Sequence, residues 1–425
     1  SRGSDICRHP KHYLTQFHPN HADADELQAK VQAAGFANWW ELYGDRKSWT
    51  NVEYPTMATW VQTRVPPAVP VLHTRNPYFY AVDPEGNQLP YIDQVQFEVV
   101  ENADLLNLKA VAGEIDCQFR HILWNNYPLF IENAEQGDYR VFQWALAEGS
   151  NTVLMPNYSH PDEVLRDLFR ARDFRIALSH GINRGDINEL TYQGFGVPRQ
   201  ASLIAASPYF KPEYATAYAD YDPDLANELL DGLGLTERNA DGFRLRPDGQ
   251  PLTIIIEYAP VFGPWRDVIN IVATQWKDIG INVVPQEEDR TLYYARAQER
   301  DMGVWVMDRC GTPLIQPIWF MPWAGGQDVA HQWWLWYTSR GESGEEPTPE
   351  VKRQYELYDL IKTAAPEDLP ALSDEFFDNA SREVWYIGTV GELPAVGVVK
   401  NNFRNVPEHA VSDVLQMTPH NTDPA

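Results

Sequence analysis

The chain has 425 residues, and its 60 acidic and 34 basic residues give a formal net charge of −26 at pH 7. This charge repels a phosphate backbone and no run of lysine or arginine offsets it, so no nucleic-acid partner is expected. Apolar residues form 44% of the sequence, but the sequence contains no stretch of about twenty apolar residues that could span a bilayer. The length favours roughly two or three compact units.

The first hundred residues combine helical, proline-rich and alternating patterns. Residues 24–44 have a helical pattern. The prolines of 65–79 predict an extended connector rather than a helix or strand. A turn then leads into a strand that places Val95, Phe97 and Val99 on one face.

Beyond residue 102, predicted strands alternate with predicted helices. Residues 139–157 predict two strands joined through a Gly-Ser kink, and 173–194 predict an amphipathic helix broken near Asn183. The other predicted elements are helices over 103–114, 222–235 and 266–281 and strands over 115–119, 252–260, 282–289 and 302–308. Such alternation is typical of an α/β sheet.

Five segments, in a fixed order, together resemble the family 5 extracellular solute-binding proteins, the receptors of peptide, nickel, opine and oligosaccharide ABC importers. They are RNPYFYAVDPEGNQLPYIDQVQF (75–97), AGEID (112–116), DFRIALSHGINRGDINELTYQGFGVP (173–198), YDPDLANELLDGLGL (221–235) and WKDIGINV (276–283). The segments GNQLPYID and GEIDCQFRHILWNNYP resemble the branch whose members often take oligosaccharides.

The resemblance implies an α/β, two-lobed periplasmic-binding-protein-like fold of type II. Residues 1–148 are then part of lobe one, 149–390 form lobe two, and 391–425 return to lobe one. The crossings between the lobes are expected near Glu148–Asn151 and Ile387–Leu393, which contain Gly149, Gly388 and Gly391. Ordinary loop glycines are the alternative explanation of these three residues.

Relatives of this kind carry a long N-terminal portion before the stretch PKHYLTQFHP, which begins here at Pro10. The comparison implies that the first lobe is incomplete in this sequence. The expectation is that a separate chain, or the missing N-terminal part of the same polypeptide, completes that lobe, because an open sheet edge and exposed apolar side chains are rarely tolerated.

Asp308 follows a hydrophobic strand directly and lies three residues after Trp305. Similar Trp-x-x-Asp residues of peptide-binding relatives meet the amino terminus of the peptide, and in sugar-binding relatives polar groups here accept hydroxyl hydrogen bonds. This resemblance makes Trp305, Asp308 and the adjacent Arg309 candidates for ligand binding. The alternative is that Asp308 pairs with Arg309 or caps a turn.

The segment FRHILWNNY (119–127) mixes aromatic and polar residues just after a predicted strand. Indole faces stack on pyranose rings and amides satisfy hydroxyl or peptide groups. The candidates on this segment are Phe119, Arg120, His121, Trp124 and Asn125. The alternative is a tryptophan that closes a local core, with arginine on the surface.

Asn151, at the first expected crossing, is another candidate for ligand binding. The run HQWWLWY (331–337) contains three tryptophans, and neither a helical nor a strand period decides which of them point inward. Trp333 or Trp334 is expected to reach the cleft, whereas Trp336 and Tyr337 are expected to pack in the core.

Neither a metal nor a cofactor is expected. Cys7, Cys117 and Cys310 lie far apart, without the spacing of a zinc site or a disulfide framework. The histidines near the start of the chain could bind a transition metal, but two of them, His12 and His18, belong to a stretch that matches the family outside its cleft.

The resemblance implies a non-catalytic protein that captures an oligosaccharide or an oligopeptide between its lobes and delivers it to an ABC transporter permease. It would act in the periplasm or outside the cell, associated with the membrane through the importer. Oligosaccharide is preferred over peptide because tryptophan-rich loops suit sugar faces. The alternatives are a carbohydrate-active hydrolase, which needs two carboxylates across a cleft, and a ligand-presenting sensory module.

Overall fold

The structure, a computed structural model, describes residues 9–260, 263–308, 310, 313–314, 317–324 and 329–412. The described chain divides into two compact units, 9–105 and 106–412. Arg309 lies outside the described residues.

The first unit begins with three short helices: α1 (Lys11–Leu14), α2 (Ala24–Ala33) and α3 (Trp39–Arg46). The helical pattern expected over 24–44 is therefore divided between α2 and α3. Gly35 adopts a φ of +78° after α2, and the carboxylate of Glu41 accepts the backbone N–H of Asn38 at 2.7 Å, which starts α3. A glycine C-cap and a new N-cap thus interrupt a continuous helical pattern.

Three antiparallel strands complete the first unit: β1 (Trp60–Arg64), β2 (Val71–Arg75) and β3 (Gln94–Phe97), in that order. Strand β2 lies inside the segment expected to be a connector, because Pro66, Pro67 and Pro70 precede the strand and Pro77 follows it, which leaves the strand's N–H groups intact. Strand β3 ends at Phe97, which is 52% exposed. The strand was expected to continue to Val99, so it is shorter than predicted and its face is more exposed.

Helix α4 (Ala103–Val111) crosses the boundary between the units. The following helices are α5 (Tyr127–Asn133), α6 (Glu163–Arg170), α7 (Arg172–His180), α8 (Arg184–Tyr192), α9 (Pro212–Thr216), α10 (Pro223–Gly232), α11 (Trp265–Asp278), α12 (Arg290–Ala295), α13 (His331–Thr338), α14 (Pro349–Thr363) and α15 (Leu369–Glu383). A 3-10 turn at Trp124–Asn126 precedes α5.

The strands of the second unit are β4 (Cys117–Gln118), β5 (Tyr139–Leu146), β6 (Val153–Pro156), β7 (Val197–Pro198), β8 (Thr253–Tyr258), β9 (Asn282–Glu287), β10 (Met302–Trp305), β11 (Ile387–Gly388), β12 (Val390–Gly391), β13 (Pro394–Lys400) and β14 (Val411–Ser412). These bounds confirm the elements predicted from residue 103 onward. The helix break near Asn183 is also confirmed, because the side chain of Asn183 caps α8 through the N–H of Asp186.

One sheet of the second unit has the order β14-β5-β13-β4. Strand β13 pairs antiparallel with β5 along its whole length. Both faces of the sheet are covered: Tyr139, Val396 and Val398 pack on one side, and Phe142 and Trp144 pack on the other. We call residues 106–146 and 394–412 the four-stranded region.

The other large sheet has the order β11-β6-β10-β8-β9. Strands β8, β9 and β10 are parallel, and α11 connects β8 to β9, which confirms the expected α/β class. Its helices enclose one continuous apolar core. We call residues 153–388 the five-stranded region.

The chain passes between these two sheets twice, at 147–152 and at 389–393, and we call these two segments the crossovers. They lie side by side, since the N–H of Asn151 donates to the carbonyl of Val390 at 2.7 Å. A Cβ on Gly149 would lie 1.9 Å from the carbonyl oxygen of Ser202, and one on Gly388 would lie 2.1 Å from the backbone nitrogen of Ala201. These glycines are therefore required by close backbone packing rather than by a loop turn.

Candidate functional site

The loop after β4 is held in place by Asn107 of α4. The buried Asn107 amide donates to the carbonyl of His121 at 2.9 Å and accepts the N–H of Leu123 at 2.9 Å. His121 has a φ of +61°, which a non-glycine residue adopts at a cost. The hydrogen bonds of Asn107 thus maintain a strained loop whose first residues are Phe119 and Arg120.

Phe119 and Arg120 have opposite environments. Phe119 is buried and stacks on Trp144 with ring centroids 3.8 Å apart, so its ring is part of the core of the four-stranded region. Arg120 is exposed, and its Nε donates to Nε2 of His121 at 3.2 Å. Although Arg120 is exposed as a whole residue, neighbouring protein atoms partly desolvate its guanidinium group and lower its pKa, and the positive charge of Arg290 lowers it further.

Trp124 connects the two regions of the second unit. Its ring stacks on Tyr127 at 4.8 Å and meets Phe195, just after α8, edge to face at 4.9 Å. Asn125, the next residue, is exposed. The loop that carries Arg120 therefore also contacts the five-stranded region.

Trp305, at the end of β10, lies at the centre of an aromatic cluster. Its ring is 5.8 Å from Tyr293, 5.6 Å from Tyr294 and 5.6 Å from Trp265. Burial raises the pKa of Tyr293 to about 12, so its hydroxyl remains protonated at neutral pH and donates to the carbonyl of Val304. The cluster forms a rigid apolar base beside the crossovers.

Arg290, the first residue of α12, lies over this cluster. Its guanidinium carbon is 5.6 Å from the ring centroid of Tyr294 and 5.9 Å from that of Trp305. Stacking of this kind orients a guanidinium group against aromatic rings. Arg290 thus places a positive charge of the five-stranded region against the aromatic cluster.

Asp308 is buried, with 6% of its surface exposed, and its Oδ1 accepts the indole N–H of Trp319 at 3.1 Å. This carboxylate lies one residue beyond Met307, whose backbone bonds to both Gly149 and Ser150 of the first crossover. The suggested pairing of Asp308 with Arg309 concerns a residue outside the described part of the chain.

Asn151 joins the crossovers to the aromatic cluster. Its side chain donates to Glu148 at 2.8 Å and accepts the N–H of Leu393 at 3.3 Å, and its carbonyl accepts the indole N–H of Trp265 at 3.4 Å. Asn151 therefore supports both the crossover geometry and the base of the candidate site.

The tryptophans of α13 occupy different places. Trp333 is 2% exposed, stacks on Tyr158 at 5.4 Å and lies beneath the guanidinium of Arg170 at 4.7 Å. Trp334 is half-buried and packs on Trp323 at 4.3 Å. Both belong to the packing of the five-stranded region, and we do not include either in the candidate site.

Sequence reasoning missed three residues of this site: Arg290, Tyr294 and Trp265. A usable signal existed for the first two, because α12 begins directly after β9, and helices that follow parallel strands begin at the sheet edge where ligands bind. Trp265 gave no such signal. Among the described residues, no group of three histidine, cysteine or acidic side chains is arranged to hold a metal ion.

Two sheets of an α/β unit, joined by paired crossovers with polar and aromatic groups beside them, are the architecture of a two-lobed binding protein. The pattern of the bacterial extracellular solute-binding proteins, family 5 (middle portion), matches residues 8–331. The chain belongs to this family.

Three comparisons locate the chain among its relatives. It is 41% identical to the solved structure of an oligopeptide-binding protein, OppA, with a TM-score of 0.65 over 97% of this chain and 68% of that one. The stachyose complex of the periplasmic binding protein MelB from Agrobacterium fabrum C58 is 19% identical, with a TM-score of 0.70 over 94% of this chain and 58% of that one. The fold is therefore of the type II periplasmic-binding-protein kind.

The third relative is the periplasmic alpha-galactoside-binding protein of Rhizobium meliloti (strain 1021), which is 23% identical over 95% of this chain. The chain spans only 57% of the length of that protein. No helix within the described ranges is long and apolar enough to cross a membrane.

Proposed function

We propose that this protein captures an oligosaccharide or an oligopeptide beside the crossovers and delivers it, outside the cytoplasm, to the permease of an ABC importer. The observation that carries the proposal is the pair of crossovers, which bond to each other through Asn151 and Val390 and join two regions that also meet where Trp124 contacts Phe195. Movement about such crossovers would enclose a ligand between the regions.

The composition of the candidate site supports a polar ligand with flat or apolar faces. The half-buried Tyr294, which packs against the buried Trp305, offers aromatic surface, while Arg120 and the exposed Asn125 offer hydrogen-bond donors. The names of the relatives support both ligand classes, since one is an alpha-galactoside-binding protein and another an oligopeptide-binding protein. Oligosaccharide remains our first choice because of the aromatic surface.

Binding without chemistry is part of the proposal, and the family membership supports it. The competing function, glycoside hydrolysis, would convert an oligosaccharide to smaller sugars. Incubation with a labelled oligosaccharide therefore separates the two, because a binding protein returns the compound unchanged.

Calorimetric titration with di- to tetrasaccharides and with di- to pentapeptides tests the ligand class. We expect saturable binding of at least one compound, and we expect Tyr294→Ala to weaken it about tenfold or more because an aromatic contact is lost. Tyr358→Ala is the matched control, since Tyr358 is also half-buried but lies on α14. Absence of binding across the panel, or equal weakening by both variants, would contradict the proposal.

A further inference from the structure

We propose that Arg199 is a positioning residue for ligand capture, because its ion pair with Glu392 clamps the second crossover to the five-stranded region and limits the angles between the two regions. The inference rests on the proposed function, in which the regions move about the crossovers to enclose a ligand. Arg199 directly follows β7, and Glu392 directly follows β12. These two strands pair antiparallel, so the two residues lie at opposite ends of the pairing.

Arg199 contacts the second crossover at both of its ends. Its N–H donates to the carbonyl of Thr389 at 3.1 Å, where the crossover begins, and its guanidinium group pairs with Glu392 near the other end. Between these points, a Cβ on Gly391 would lie 2.8 Å from Cδ of Arg199. The side chain of Arg199 therefore runs along the crossover, and glycine at position 391 makes room for it.

The guanidinium group of Arg199 is itself fixed to the five-stranded region. Arg199 is 1% exposed, and it donates to Oγ of Ser202 at 2.6 Å and to the carbonyl of Leu203 at 2.5 Å. It also lies 5.6 Å from the ring centroid of Phe210. A buried guanidinium group is costly unless its charge is paired. The carboxylate of Glu392 is therefore held by a group that cannot easily turn towards water.

Glu392 has a backbone conformation that favours glycine. Its φ is +58°, and a residue with a side chain keeps such a conformation where its surroundings impose it. The side chain of Glu392 is 32% exposed, so burial is a weak constraint on it. The ion pair with Arg199 therefore accounts for this conformation.

The first crossover passes from one region to the other at Ala147. Its N–H donates to the carbonyl of Ser412 in the four-stranded region at 2.9 Å, and its carbonyl accepts the N–H of Cys310 at 3.0 Å. Further along, the N–H of Gly149 donates to the carbonyl of Met307 at 2.9 Å. From Ala147 onward, the first crossover is therefore bonded to the five-stranded region.

The second crossover can bend at Glu392 and Leu393. Its pairing with β7 ends at Gly391, and β13 of the four-stranded region begins at Pro394. The clamp fixes Glu392, so that one residue, Leu393, separates the anchored crossover from β13. Without the clamp, two residues can change φ and ψ.

The clamp therefore narrows the range of angles between the regions. Hinges of a few residues absorb the backbone changes of domain closure, so the number of free residues sets the range of motion. A narrow range also lowers the entropy that is lost when a ligand is enclosed. Arg199 thus prepares the regions for capture without a contact to the ligand.

The test measures the distance between the two regions in the full chain without a ligand. Spin labels on unnatural amino acids replace Glu132 of α5 and Thr274 of α11, two exposed residues, and leave the native cysteines in place. Double electron–electron resonance gives the distribution of the distance between the labels. We expect one narrow distribution for the chain with an intact clamp.

Two substitutions of Glu392 remove the clamp in different ways. Glu392→Gln keeps the length of the side chain and removes its charge, whereas Glu392→Asn removes the pair and suits a positive φ. We expect each to widen the distance distribution about twofold, because a second residue is then free to bend. Glu392 is partly exposed, so both variants should fold, and thermal unfolding checks this.

Asp231→Asn is the matched control. Asp231 pairs with Arg244 at 2.5 Å and, like Glu392, is a partly exposed carboxylate that pairs with a buried arginine. This ion pair lies within the five-stranded region, away from the crossovers. The distance distribution of Asp231→Asn should therefore keep its width.

The possible results are distinct. Widening in Glu392→Asn, with no change in Asp231→Asn, supports the clamp. An unchanged width in Glu392→Asn overturns it even if Glu392→Gln widens the distribution, because the backbone conformation of residue 392 would then be the cause. Equal widening in Asp231→Asn also overturns it. None of these results depends on a ligand, whereas the proposed function fails if no compound binds in the calorimetric titrations.

Discussion

The five-stranded and four-stranded regions support the candidate site in different ways. In the five-stranded region, Trp305 and Arg290 lie on a sheet and helices that share one continuous core. In the four-stranded region, two thin apolar layers cover opposite faces of a sheet, and the loop of Arg120 depends on one buried amide, Asn107.

The two regions therefore hold the residues of the candidate site in place by different means. A large core fixes its surface groups through many contacts, so that no single polar bond decides their place. A thin layer has fewer such contacts, and a loop on it is positioned by specific hydrogen bonds. We therefore expect core substitutions to have their main effect on stability in the five-stranded region and polar substitutions to affect binding in the four-stranded region.

The largest effect is expected for Trp333→Ala. Removing this buried ring leaves a cavity against Tyr158 and Arg170, and we expect a loss of about 3–5 kcal/mol in the free energy of unfolding. Denaturant titration measures this loss. Leu335→Ala on the same helix is the control, because Leu335 is exposed and its loss should cost much less. Similar losses for the two variants would argue against a core role for Trp333.

Gly149 of the first crossover and Gly388, the last residue before the second crossover, should also be sensitive. A Cβ on Gly149 or Gly388 meets backbone atoms that cannot move as a flexible side chain can. We expect Gly149→Ala and Gly388→Ala each to lower the free energy of unfolding by about 1–3 kcal/mol.

Gly232→Ala is the matched control for Gly149→Ala and Gly388→Ala. Gly232 is the last residue of α10 and has open space where its Cβ would be. Alanine there should be neutral or slightly stabilising, since glycine is the poorer helix former. Thermal unfolding measures these effects. If the protein tolerates both Gly149→Ala and Gly388→Ala, the backbone around the two glycines adjusts more easily than its close packing indicates.

Asn107→Ala tests the four-stranded region. It leaves the carbonyl of His121 and the N–H of Leu123 without this partner, and we expect a loss of about 1–3 kcal/mol in stability. Ligand affinity should fall as well, because the Arg120 loop loses its anchor. Asn133→Ala removes only a bond to Leu129 within α5 and should leave the affinity unchanged. Equal affinity in both variants would show that the loop holds its shape without Asn107.

Sequence reasoning succeeded where local pattern and burial agree. Strands β8 and β10 read as short apolar runs because they are buried, and the helix break at Asn183 followed from capping chemistry. In the first unit it indicated helix over 24–44 but not the end of α2 near Gly35, because the pattern continued periodically into the next helix. A local C-cap outweighed the wider period there.

The candidate site was only partly accessible to sequence reasoning. Strand ends pointed to Trp305 and to the Arg120 loop, but the direction of Trp333 depends on how α13 packs, which one sequence does not show. Arg290 belongs to the site through its contacts with Tyr294 and Trp305, and the second contact joins separate elements. Contacts between residues of separate elements arise from tertiary packing and cannot be read from spacing along the sequence.

The smallest expected effect concerns a buried carboxyl group of the five-stranded region, Glu257. Burial, and next the charge of Glu288, raise the pKa of Glu257, while Arg296 at 3.3 Å opposes this rise. The folded protein then holds this proton more tightly than the unfolded chain does. Its contribution to stability is present below the ordinary pKa of 4.5 and is lost as the pH rises through the folded-state value.

Glu257→Gln removes this titration, so the free energy of unfolding of the variant should improve relative to the original protein as the pH rises from about 4 towards neutrality. Denaturant titrations at several pH values measure that difference. Glu342→Gln, at an exposed glutamate, should give a difference that is nearly independent of pH. A Glu257→Gln difference that stays constant, or that runs the other way, would show that pairing with Arg296 outweighs burial at Glu257. The five-stranded region would then tolerate a buried negative charge.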